Sequence, residues 1–92
     1  MTEDRAETMA LTALGWLASN GELMPVFLGS TGATIDDLRA RAGDADFLGS
    51  VLDFILMDDA WVVELCDAQS WKYEDLAAAR AVLPGGEQVN WT

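Results

Sequence analysis

Each longer apolar segment of this chain follows the 3.6-residue repeat, and each is cut off within a few turns, at Asn20-Gly21, Ser30-Thr31-Gly32, Gly43 and Pro84-Gly85-Gly86. That pattern admits short amphipathic helices packed on one another and little else. Only Trp61-Val62-Val63 has strong β character, and it is too short and too closely followed by helical spacing to found a sheet. The expected fold is all-α: a compact bundle of five or six short helices with no sheet, forming a single domain over 1–83, with a C-terminal tail over 84–92.

Local signals place the helices. Thr2 can cap a first helix whose opening turn holds Glu3 and Asp4, and Ala6, Met9, Ala10, Ala13, Leu14 and Leu17 keep helical spacing. In the segment from Glu22 to Ser30, Pro25 is tolerable only within a first helical turn. Thr34 and Asp37 resemble a capping box with Asp in the usual Glu position, opening a short helix through Leu38 and Arg41. Asp44 can cap a fourth. There, at about 100° per residue, Phe47, Leu48, Val51, Phe54 and Ile55 share one face and Asp46, Ser50, Asp53 and Met57 the other. Asp58-Asp59 breaks that pattern and opens a fifth helix, with Trp61, Val62, Leu65 and Ala68 inward and Glu64 and Asp67 outward. Trp71, Tyr73 and the run from Leu76 to Leu83 form the last.

With 92 residues, 51% of them apolar, the chain has enough hydrophobic material for one core and is not composed like a disordered segment. Stability of about 5 to 10 kcal/mol is expected for such a domain. Sixteen acidic residues stand against five basic ones, a net charge of −11, and between Asp44 and Ser70 there are seven acids with no Lys or Arg. The opening Met1-Thr2-Glu3-Asp4-Arg5 is acidic where a secretory signal is basic, and no charge-free apolar run of about 18 residues is present to span a membrane. A cytoplasmic location away from the membrane is expected. Cys66, the single cysteine, sits beside Leu65 in a periodic apolar segment and reads as a core thiol.

The inventory of reactive groups is thin. The chain has no His, which removes the commonest general base and the imidazole ligands of most zinc sites. Asp44-Ala45-Asp46 followed by Gly49 has the first half of a calcium loop, but Leu48, Leu52 and Ile55 stand where further ligands are needed. Pro84-Gly85-Gly86-Glu87-Gln88 matches loop fragments of larger enzymes by chance, and no phosphate-cradling glycine loop exists. No enzyme activity, cofactor or metal is expected. Residues 34–57 have the outline of a helix-turn-helix, with Thr34 to Gly43 as first helix and turn. Its second helix carries Asp46 and Asp53 without a base-reading Arg, Lys, Asn or Gln, so DNA would be repelled and no nucleic acid is expected as partner.

Four strings run through nearly the whole chain: Ala13-Leu14-Gly15-Trp16-Leu17-Ala18, Leu23-Met24-Pro25-Val26-Phe27-Leu28, the segment from Val51 to Val62, and Leu83-Pro84-Gly85-Gly86-Glu87-Gln88. In these the chain resembles a family of small bacterial proteins known only as a domain of unknown function. The resemblance implies a stand-alone soluble domain and supplies no site residue. Function therefore rests on charge. The expectation is a small non-enzymatic interaction module in which Asp46, Asp53, Asp58, Asp59, Glu64 and Asp67 form an acidic helical face for a basic protein partner. The alternative is a helix-turn-helix-like regulatory domain over 34–57. A monomer is favoured over a homodimer, because Asp53 and Glu64 would meet their own copies across a twofold axis. Whether Trp91 packs back onto the domain is open at this level.

Overall fold

The computed structural model describes residues 1–84, and among them it has six helices and no strand: α1 (Glu3–Ala18), α2 (Leu23–Thr31), α3 (Ile35–Arg41), α4 (Ala45–Leu56), α5 (Asp59–Gln69) and α6 (Tyr73–Val82). The all-α bundle expected from periodicity is the fold found. Of the expected tail over 84–92, everything beyond Pro84, Trp91 included, lies outside the described residues.

Side chains start these helices as the sequence indicates. Thr2 accepts from the Arg5 N–H, and Thr34 and Asp37 close a reciprocal capping box. Asp44 and Asp58 each accept a hydrogen bond from the backbone N–H two residues on. Helix α2 is started from further back: the Asn20 side-chain oxygen accepts from both Glu22 N–H and Leu23 N–H at 3.1 Å, so the residue just after the α1 C-cap opens α2. Pro25 is then the third residue of α2, inside the first turn, where its missing N–H costs nothing.

Helix α4 is the central element. It packs on α1, α5 and α6, and seven of its twelve residues are buried: Phe47, Leu48, Gly49, Val51, Leu52, Phe54 and Ile55. An aromatic chain ties it to its neighbours. Phe27 of α2, fully buried, meets Phe47 edge-on at 6.2 Å and Phe54 at 5.2 Å, and Phe54 stacks on Trp61 of α5 at 4.8 Å. Truncating a buried Phe of this kind costs about 3 to 5 kcal/mol, a large part of what so small a domain has.

Two expectations about the C-terminal half are corrected. Ala68 faces solvent rather than the core, and the inward positions of α5 are Val62, Leu65 and Cys66, at i, i+3 and i+4. Trp71 is not in the last helix. Ser70 adopts a left-handed conformation (φ 61°, ψ 36°), its N–H donates to the Asp67 carbonyl, and the Trp71 N–H donates to the Cys66 carbonyl at 2.9 Å. This Schellman-type stop ends α5 without a glycine, and Trp71 lies half-buried against the core in the link to α6. At the other end of α6, Leu83 is extended and fully buried, as suits a residue preceding proline. No helix among the described residues is long and apolar enough to cross a membrane.

Candidate functional site

Burial of seven α4 residues leaves that helix one solvent-facing strip, Asp46, Ser50, Asp53 and Met57, at helical spacing. Two hollows meet along it. One, of about 470 Å³, lies between the end of α2 and the start of α4 and is bordered by Asp37, Arg41, Asp46 and Phe47; the other, of about 430 Å³, by Asp53, Phe54 and Met57. Both include Thr31 and Ser50, so together they form one trough. Its α2 side is the negative end of a helix dipole, with no basic residue in the last turn. Arg41 is the single cation on its border, and that guanidinium lies 5.0 Å from the Phe47 ring centroid and 3.5 Å from Asp44.

The six acids expected to share one face have different local roles. Asp46, Asp59 and Glu64 are exposed, and among the described residues their carboxylates hold no hydrogen bond. Asp58 caps α5 by accepting from the Ala60 N–H at 2.8 Å. Asp67 accepts from the Tyr73 hydroxyl at 3.1 Å, a bond that holds the phenol proton and pushes the Tyr73 pKa up. Asp53 is clamped by Arg80: Nε donates to Oδ1 at 2.5 Å and Nη2 to Oδ2 at 2.9 Å, while Nη1 donates to the Pro84 carbonyl at 3.0 Å. Asp46 and Asp53 thus belong to the α4 trough, Asp59, Glu64 and Asp67 to the outside of α5, and Asp58 to the joint.

Arg80 is the residue that sequence reasoning does not find. It is 27 positions from Asp53, and nothing in the local pattern of α6 marks its partner. Gly49 makes the arrangement possible, because a Cβ there would stand 2.7 Å from Arg80 Nη1 and 3.2 Å from the Pro84 carbonyl oxygen. A second missed feature is an apolar hollow of about 470 Å³ between α1, α2 and α3, to which exposed Leu11 and Ile35 contribute. Leu11 falls off the core stripe of α1, and that was its sequence signal.

Cys66 is fully buried, its Sγ lies 3.9 Å from the Lys72 carbonyl oxygen, and burial first, then Asp67 and Asp75, push its pKa up, which suppresses the thiolate. Among the described residues no three Cys, Asp or Glu side chains converge as metal ligands. Residues 34–57, the span of the helix-turn-helix outline, run as α3, a turn at Ala42 to Asp44, and α4. The side that α4 and its C-cap turn to solvent carries Asp46, Ser50, Asp53 and Met57.

A family profile described as "protein of unknown function (DUF3572)" matches residues 3–86, and the chain belongs to that family. No curated protein and no solved structure matches it.

Proposed function

We propose that this member of the family is a cytoplasmic, non-enzymatic interaction module that takes a Lys- or Arg-bearing segment of a basic protein partner into the α4 trough. The observation that carries this reading is the composition of the trough. Asp37, Asp46 and the C-terminal end of α2 supply negative potential, Asp53 being offset by Arg80, the one bordering cation is already held by Asp44 and Phe47, and Phe54 and Met57 give an apolar floor. Met57, 76% exposed, is the most exposed large apolar residue of the described chain and suits the alkyl stem of a lysine. Asp59 and Glu64, on the outside of α5, extend the negative field that draws such a segment in.

The test separates charge from fold. Asp46→Asn removes an exposed carboxylate that no described group bonds, so its melting temperature should stay within a degree or two while affinity for a Lys-rich amphipathic peptide falls about threefold. Nuclear magnetic resonance shifts on titration should map to Thr31, Ser50 and Met57 and fade as salt is raised. Asp53→Asn is a poorer probe, because it also unpairs Arg80. Peptide binding that ignores salt, or that leaves the α4 strip unperturbed, would refute the reading.

A further inference from the structure

The hollow between α1, α2 and α3 differs from the rest of this surface. Sixteen acids are spread over the chain, yet among the described residues none borders this hollow, and its single charged residue is Arg39. Among the described residues Arg39 has no carboxylate within ion-pair distance, whereas Arg41 and Arg80 each have one. Around it stand Leu11, Leu14, Met24, Ile35 and Leu38, of which Leu11 is 45% and Ile35 49% exposed. Gly15 opens the wall: a Cβ built there meets nothing within 4 Å, so the α1 backbone itself borders free space.

Size and charge decide the occupant. The volume, about 470 Å³, lies within the range of about 300 to 1,000 Å³ typical of small-molecule sites. One wall is α3, whose seven residues give it a length of only about 10 Å, so that side holds an occupant over a short distance. A single exposed cation beside an apolar hollow favours an anionic head on a hydrocarbon chain, and a planar guanidinium pairs well with a carboxylate. We propose that the hollow between α1, α2 and α3 binds a medium-chain aliphatic carboxylate, its chain along Leu11, Leu14, Met24 and Leu38 and its head on Arg39. This site is separate from the α4 trough and stands or falls independently of it.

Titration calorimetry and resonance mapping with octanoate, decanoate, decanol and decyltrimethylammonium, each below its micelle concentration, test the proposal on the intact chain. Decanoate should saturate the site, shift Leu11, Ile35 and Arg39, and bind about fifteenfold tighter than octanoate, from roughly fourfold per buried methylene. Arg39→Gln should weaken decanoate about tenfold and leave decanol unchanged. Gly15→Leu fills the hollow and should abolish both while helical circular dichroism is kept. Asp46→Asn should leave decanoate binding unchanged. The proposal is overturned if the cationic amphiphile binds as tightly as decanoate, if Arg39→Gln weakens decanoate and decanol alike, or if Gly15→Leu binds normally. An acidic amphipathic peptide that displaces decanoate at lower concentration, or a dimer that Gly15→Leu dissolves, would likewise reassign the hollow to a protein partner.

Discussion

The same substitution at two helical glycines should change stability in opposite directions. Gly15 lies exposed in α1, and an added Cβ meets nothing within 4 Å; Gly49 lies buried in α4 under Arg80. At Gly15, Ala recovers the helix propensity that glycine forfeits, about 1 kcal/mol. For a domain of this size that corresponds to a melting temperature higher by about 4 to 8 °C. At Gly49 the gain in propensity is the same, but the new Cβ would sit 2.7 Å from Arg80 Nη1 and 3.2 Å from Arg80 Cζ. The guanidinium must then shift, at the expense of its bond to the Pro84 carbonyl and its two bonds to Asp53.

Arg80 is 16% exposed and Asp53 55%, so the ion pair is discounted for solvent and contributes about 1 kcal/mol. The bond to Pro84 adds about 1 kcal/mol more. The Pro84 carbonyl oxygen, 3.2 Å from the new Cβ, must also give by a few tenths of an ångström. Gly49→Ala should therefore be destabilised by about 1 kcal/mol, leaving about 2 kcal/mol between the two variants. Urea and thermal melts followed by circular dichroism measure both. In an Arg80→Ala background the Gly49→Ala penalty should largely vanish, a coupling readable from the double-mutant cycle. If Gly49→Ala stabilises as much as Gly15→Ala, or if the penalty persists without Arg80, the clamp is not what Gly49 accommodates.

Two further outcomes follow from single residues. Ser70 stands in the left-handed region at the end of α5, where an L side chain costs about 1 kcal/mol, so Ser70→Gly should raise the melting temperature by several degrees; a drop would mean its side chain contributes more than the strain. Cys66 and Tyr73 are both shifted upward from ordinary values of 9.0 and 10.0, so the fold retains protons that the unfolded chain releases. Their contribution is complete below about pH 9 and is lost as pH rises through the folded values, so the urea midpoint should decline on the alkaline side, less steeply in Cys66→Ala. Stability that rises there would contradict the burial of the thiol, as would rapid labelling of Cys66 by a thiol reagent at neutral pH.

What the sequence shows and what it hides divide along sequence distance. Caps at Thr2, Thr34, Asp44 and Asp58 were legible because donor and acceptor lie within three residues of one another. The core face of α4 was legible because a helix repeats its environment every three to four positions. Ser70 was hidden because nothing about serine announces a left-handed backbone, whereas Gly32 at the end of α2 does. The tetrapeptide Phe-Leu-Gly-Ser, at 27–30 and again at 47–50, makes the point within one chain. Gly29 has open space above it, while Gly49 supports a guanidinium brought from α6, and no local rule separates the two.

The same limit governs the acidic face. Counting carboxylates along 44–70 treats them as equivalent, and in three dimensions they are not. Asp58 is engaged with a backbone amide, Asp67 with a phenol, and Asp53 with one of only five cations in the chain. A cation that is scarce and yet held in a bidentate pair lowers local charge, so the potential of the trough depends on Asp46, Asp37 and the end of α2 more than on Asp53. Arg39, beside apolar side chains and with no ion pair among the described residues, is the complementary case. With so few cations, where each one sits distinguishes the surfaces of this molecule better than where its acids do, and the two proposed binding regions differ first in whether their arginine has a partner among the described residues.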